Sequence, residues 1–452
     1  MLKRLKRGLG VLLAAVFVMS LAACSGSGKP DGSNAPTSAG STSAAANQPY
    51  AGQMIRFVAA NHMWTDVIKE KISDFESETG IKVSLESYAE DQLNQKLSIE
   101  FTSGNSNIDV FMTRPIQEKL LFYKNGWYEV LDGYVADTGK TPADWSYDDF
   151  MPGLVQQDVV DGKLIGIPLT NEFQMLFYRT DLFEKAGLKP PQTFEELEEA
   201  AKILHDPTNE VYGIVARGNM GAAVPVWGCF MYGYGGDWLK DGKCIVNNEA
   251  GLESLKLYGR LLKNYGPPGV MNMGWPQCVA IFAAGKAAMY VEGNAQMAQF
   301  ADSEKSTIAD KFGVAVFPAG PVTHKTYQTS SWGLAISSAS QYKDAGWKFI
   351  TWSTNKENMK MAQLGNIGMS RSSIWEDADV KASLRPGFAD VVLKTAEIGI
   401  PYYAPPMMAV SEARDILGVP VVKSIESGGT GNLQAELDAA AAKVNELLDA
   451  EK

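Results

Sequence analysis

A chain of 452 residues, 45% of them hydrophobic, exceeds one ordinary domain and can bury a sizeable core. The formal net charge of −11 argues against a nucleic-acid partner, because phosphate binding draws on clustered Lys and Arg, and no such cluster follows the first residues. Aromatics are plentiful, with 10 Trp, 17 Tyr and 18 Phe.

The N-terminus carries Lys3, Arg4, Lys6 and Arg7, then the apolar run "LGVLLAAVFVMSLAA", which stops at Cys24. That layout is a secretory signal. The run falls short of the ~20 apolar residues that span a bilayer, and no other segment comes close, so a mature chain without a transmembrane helix is expected. Leu21-Ala22-Ala23-Cys24 resembles the lipobox of bacterial lipoproteins. It implies that residues 1–23 are a signal peptide and that lipidated Cys24 anchors the protein to the extracytoplasmic face of the cell membrane. Residues 24–50 follow as a small, polar stretch that cannot bury a core and reads as a flexible tether. The remaining cysteines are Cys229, Cys244 and Cys278; a Cys229–Cys244 disulfide and three buried thiols both stay open.

Beyond the tether, "MIRFVAA" reads as a strand and "TDVIKEKISDFESETG" as a helix, with Ile68, Ile72 and Phe75 on one face and Gly80 as its stop. "IKVSLESYA" alternates as a second strand; Leu93, Leu97 and Phe101 mark a second helix, and "IDVFMTR" a third strand. Such alternation predicts an α/β protein with mostly parallel sheets covered by helices. Further on, "KLIGIPLTNEFQMLFYR" reads as two extended segments, and Thr193 with Glu196 forms a capping box for the next helix. "AAMYVEG", "FGVAVFP" and "WGLAIS" are later strands, and "NLQAELDAAAAKVNELLDAEK" closes the chain as a polar-faced helix. Two lobes are expected, assigned as residues 51–164 for the first part of the N-terminal lobe, 165–335 mainly for the C-terminal lobe with crossings at a hinge, and 336–452 for helices shared between them.

Chemistry-bearing motifs are scarce. His62, His205 and His324 lack a second ligand at metal spacing, so no metal site or other cofactor is expected. No G-x-S-x-G elbow, P-loop or G-x-G-x-x-G is present. A glycosidase needs two carboxyl groups flanking a cleft, and Asp91, Glu172 and Glu292 lie at strand ends, but nothing in the sequence marks any of them as catalytic. The strand ends carry aromatic and amide residues instead, including Asn61, His62 and Trp64. Those residue types suit sugar rings, whose C–H faces stack on Trp or Tyr and whose hydroxyls need two-way hydrogen-bonding partners.

Several segments together resemble the extracellular solute-binding proteins of bacterial ABC importers, in the sugar-binding branch that includes maltose-binding relatives. "FESETGIKVSL" with "NIDVFM" is similar to that family's N-terminal lobe, and Gly166–Leu204 follows its G-[IL]-P … D-L-F-x-x-A-G signature almost position for position. "FAAGKAAMYVEGN" and "WGLAISSASQYKDAGWKFITWST" match later elements in the expected order. The resemblance implies a two-lobed, periplasmic-binding-protein-like fold of type II character with a hinge. It also implies no turnover, a monomer, and a carbohydrate (sugar, oligosaccharide or sugar alcohol) delivered to ABC permease subunits; a secreted glycoside hydrolase and a binding protein for a non-sugar solute are the alternatives. Carried over by position, Asn61, Trp64, Arg114, Glu172, Trp275, Asn294, Trp332 and Arg371 are the expected ligand residues, with His62 as a neutral hydrogen-bonder. Trp227 and Tyr232 are weaker cleft-lining candidates. Tyr178, Asp181, Leu182 and Phe183 are expected to be framework beside the hinge.

Overall fold

Strand β1, Met54–Ala60, is buried on both faces from Phe57 onward, as a central parallel strand must be. The computed structural model describes residues 49–104, 106–365 and 367–452, the Asp91 side chain apart; Cys24, the signal segment and nearly all of the tether lie outside the described residues. Helix α1, Met63–Thr79, follows β1, capped by the His62 side chain, which accepts a hydrogen bond from the Trp64 backbone N–H. It stops at Gly80, whose φ of 72° is the left-handed conformation that favours glycine. Strand β2, Lys82–Tyr88, runs parallel to β1 with Met54 opposite Lys82 and Ala60 opposite Tyr88. After helix α2, Glu90–Thr102, strand β3, Val110–Thr113, lies on the other side of β1, also parallel. Helix α3, Pro115–Lys124, then starts at a proline, which gives up no hydrogen bond in a first turn.

Besides two small two-stranded sheets, seven further strands among the described residues complete the two large sheets. They are β4 (Ile167–Pro168), β5 (Glu172–Arg179), β6 (Met289–Gly293), β7 (Phe312–Val316), β8 (Thr326–Thr329), β9 (Gly333–Ile336) and β10 (Gly399–Ile400). The first sheet has the order β2-β1-β3-β9-β4, with β9 antiparallel to both neighbours. The second has the order β6-β5-β8-β10, and β7 also pairs with β5. Here the pairs of β5 with β6, β7 and β8 are antiparallel, so the parallel expectation describes β2-β1-β3 of the first sheet and not β9 or the strands around β5. The difference arises because β5 is not entered through a helix: it follows β4 within the same extended run, and its partners return from elsewhere in the chain.

Two short segments link the sheets. Residues 169–171 carry the chain from β4 into β5, and residues 330–332 carry it back from β8 into β9. Alternation along β5 divides its side chains between two apolar cores: Phe173, Met175 and Phe177 join the core under the first sheet, and Leu176 joins the second. Full burial of each such side chain stabilises by roughly 1.5–3 kcal/mol. Helix α4 (Phe194–Leu204), capped by Thr193, packs into the second core. The same core takes α5 (Met220–Gly233), α6 (Glu249–Tyr265), α7 (Val410–Ser427) and α8 (Leu433–Ala450). Helix α6 meets α7 at Gly259, where a Cβ would come within 2.1 Å of the Ser424 hydroxyl. Cys229, Cys244 and Cys278 are free and buried, so of the two cysteine readings the structure has thiols. Among the described residues no helix is long and apolar enough to cross a membrane.

Candidate ligand cleft

Strand ends and crossings converge on a cavity of about 200 Å³. Arg114 follows β3 directly and caps α3; its Nε donates to Glu118 at 3.2 Å and its Nη1 to Glu90. The guanidinium stands 5.7 Å from the centre of the Trp332 ring, a cation–π distance. Trp332 belongs to the second crossing, where its N–H donates to Thr170 Oγ1 at 3.1 Å and its carbonyl accepts from Leu169 N at 2.9 Å. The two crossings are thereby tied to each other beside the cavity.

Glu172 opens β5 and accepts hydrogen bonds from the Ser331 hydroxyl and, at 3.4 Å, from Tyr327. Burial holds its carboxyl above the usual range, against the Ser331 bond and the charge of Arg217. Arg217 forms a two-pronged pair with Glu292 at 2.5 and 2.7 Å. Burial pulls that guanidinium down, yet the charge of Glu292 and its hydrogen bonds leave it above its ordinary value. Tyr403 and Arg414 complete the wall from the second lobe, the guanidinium carbon 5.6 Å from the Tyr403 ring centre and Nε donating to Gly221 O at 3.1 Å. Among the described residues, Arg414 is the wall's one guanidinium without a carboxylate partner.

The Glu292 carboxylate is fully committed to partners within the protein. Glu292, fully buried, accepts from both Arg217 nitrogens, from Tyr290 OH at 3.0 Å and from Gly293 N at 2.8 Å. Four acceptor sites are thereby taken, which leaves none to activate a water. What faces the cavity is a mixture of fixed donors, fixed acceptors and aromatic surface.

Of the residues expected from sequence, the structure brings Arg114, Glu172 and Trp332 together at this cavity. His62 lies beside them, its ring centre 6.1 Å from that of Trp332, with Nδ1 used as the helix cap and burial pushing the imidazole down to about 4. Asn61 is exposed past the end of β1, its N–H bound to Tyr88 O at 2.7 Å. Trp275 is 40% exposed at the start of its helix. Asn294 is spent on the backbone, accepting from Phe173 N at 2.9 Å and donating to Asn171 O at 3.1 Å.

Four expectations are corrected toward the interior. Trp64 is fully buried because α1 begins at Met63, which turns its ring edge-on to Phe57 in the first core. Trp227 sits inside α5, bonded to Ser254 Oγ at 3.0 Å and packed edge-on against Trp238. Tyr232, five residues on, is buried with its hydroxyl on Tyr402 O at 2.7 Å. Arg371 is fully buried, pairing with Asp149 at 3.1 Å and stacking 4.0 Å above Phe150. Arg217, Tyr403 and Arg414 were not foreseen. The strand-end rule reaches Arg217, since Val215 forms a parallel bridge with Tyr290. Tyr403 and Arg414 carry no such signal, because one is in a loop and the other on a helix.

Two α/β lobes joined by short crossings, with a polar and aromatic cleft beside those crossings, define a two-lobed binding protein. The family model for bacterial extracellular solute-binding proteins matches residues 64–360, and the chain belongs to that family. It is 29% identical over 374 residues to the mannitol-binding protein of Pseudomonas aeruginosa, covering 78% of this chain and 83% of that protein. Among solved structures it is similar to an ABC transporter solute-binding protein of Agrobacterium radiobacter in complex with ribitol, at 28% identity and a TM-score of 0.74 over 88% of this chain and all of that one (100%). A solute-binding protein of Agrobacterium vitis with bound D-mannitol shares 26% identity and a TM-score of 0.69, over 87% and 97% of the two chains.

Proposed function

We propose that this protein is the receptor of an ABC importer, capturing one small sugar or sugar alcohol in the cleft and presenting it to permease subunits. The observation that carries this reading is the cavity wall: Trp332 under the Arg114 guanidinium, with Glu172, Ser331 and Arg414 around it. Charged hydrogen-bonding groups already fixed by partners give a hydroxyl-rich ligand both donors and acceptors without reorganisation. A cavity of about 200 Å³ falls below the ~300–1,000 Å³ of ligand clefts in general, which suits a single short polyol or monosaccharide better than an oligosaccharide. The relatives that bind mannitol and ribitol support the same class.

Intrinsic tryptophan fluorescence, titrated with mannitol, ribitol, erythritol, hexoses and maltose, tests the assignment. Saturable quenching by at least one polyol or monosaccharide is expected. Silence toward all of them, with a response to peptides or polyamines, refutes the substrate class.

The same reading makes the protein a monomeric lipoprotein, anchored through Cys24 and held off the membrane by its tether. Several acyl chains at ~0.8 kcal/mol per buried CH₂ give stable attachment. Cys24→Ser should move the protein from the detergent phase to the aqueous phase on Triton X-114 partition; an unchanged distribution refutes the anchor.

A further inference from the structure

Gln157 lines no part of the cleft, yet its side chain reaches two segments that do. It is fully buried, in the 3-10 turn Gln156–Asp158. Its Oε1 accepts from Thr329 Oγ1 at 2.7 Å and from Ser330 N at 3.0 Å. Its Nε2 donates to Pro401 O and, at 3.4 Å, to Gln328 O. An amide offers two acceptor sites and two donor protons, and all four are in use. The Gln157 carbonyl meanwhile accepts from Lys119 Nζ at 2.8 Å, and that ammonium lies 5.6 Å from the Tyr402 ring centre.

The partners are informative in their positions. Thr329 ends β8 and Ser330 begins the second crossing, which goes on to Ser331 and Trp332; Ser331 holds Glu172, and Trp332 faces Arg114. Pro401 immediately precedes Tyr402 and Tyr403, and Tyr403 packs against Arg414. One side chain therefore fastens two cleft walls that are about 70 residues apart in the chain, counted from Ser330 to Pro401. Strands β8 and β10 pair just before these positions, at Thr326 with Gly399 and Tyr327 with Ile400, and beyond the last of those pairs the Gln157 amide carries the same registration into Ser330 and Pro401.

We propose that Gln157 is the positioning residue of the cleft, holding the second crossing and the Pro401–Tyr403 segment in one register so that ligand affinity depends on its amide. This rests on the cleft being the ligand site. A buried carboxylate in its place keeps both acceptors and loses both donors; a leucine loses all four.

The test compares full-length wild type, Gln157→Glu, Gln157→Leu and Trp227→Phe at pH 7.5, the last perturbing the second core away from the cleft. Three quantities are read: Kd for the best sugar or polyol of the panel, the thermal midpoint, and amide exchange over residues 328–332. Gln157→Glu should bind at least tenfold more weakly and keep slow exchange at Ser330. Gln157→Leu should bind more weakly still and exchange fast there. Trp227→Phe should lower the midpoint and leave Kd unchanged. Equal Kd for Gln157→Glu and wild type, or losses that scale with the midpoint across all three variants, overturns the proposal. If wild type binds nothing on the panel, the ligand reading fails instead, and exchange decides the clamp alone: unchanged protection at Ser330 in Gln157→Leu overturns it.

Discussion

Glu292→Gln tests how the cleft's electrostatics are built. The wild-type carboxylate is fully buried and accepts four hydrogen bonds, two of them from Arg217, whose side chain is only 13% exposed. An amide keeps one oxygen and turns two protons toward the donors of Arg217 and Tyr290, which leaves a buried guanidinium without a counter-charge. Breaking one partner of a buried pair costs about 3–5 kcal/mol, and the neutral hydrogen bonds that survive recover only part of it. Urea unfolding followed by circular dichroism and by fluorescence should show a lower midpoint with the same slope. Ligand affinity should fall as well, because Arg217 lines the cavity. A loss under about 1 kcal/mol, with coincident transitions by the two probes, would refute the argument that this charge is effectively desolvated.

Four further outcomes are expected. Asp158 is buried with one oxygen unpartnered, and burial pushes its carboxyl up to about 7 against the charge of Lys119. Its folded value exceeds the unfolded ~3.9, so the contribution of this one group to stability is fully present below about pH 4 and falls by roughly 4 kcal/mol as pH rises through 7; Asp158→Asn should remove that component of the slope in urea titrations across pH 4–8. Lys119, pushed down to about 8 by burial, acts in a separate window and adds stability as pH rises from about 8 toward 10.4. Arg414→Gln removes the cleft's unpaired cation and should weaken ligand binding by about 10–100-fold, measured by fluorescence titration, with little change in the thermal midpoint. Trp227→Phe loses the bond to Ser254 and part of the contact with Trp238, costing about 1–3 kcal/mol in urea unfolding while Kd stays constant.

The first sheet was the most legible part of the fold. Ile55 and Phe57 on β1, and Ile68 and Phe75 on α1, repeat at the periods of strand and helix, and Gly80 ends the helix where a left-handed residue is required. Thr193 likewise caps its helix as its spacing with Glu196 predicts. These are local properties, fixed by residues within a few positions of one another. The antiparallel pairing of β5 was not legible, since its partners β6, β7 and β8 begin more than 100 residues later.

By itself the sequence determined the alternating elements, the family signature from Gly166 onward, and three cleft residues that sit directly at strand ends or crossings: Arg114, Glu172 and Trp332. Tertiary structure decided which of the other aromatics and cations face the cleft. Trp64 and Trp332 look alike as tryptophans near strand ends. A helix that starts two residues before the expected Thr65 turns successive side chains by about 100° each, which is enough to send Trp64 into the core. Arg371 and Arg414 are both arginines near the start of a late helix, yet one meets Asp149 and the other meets open cleft. Periodicity says which face of an element is apolar; only the packing of distant segments says what that face, or its opposite, finally meets.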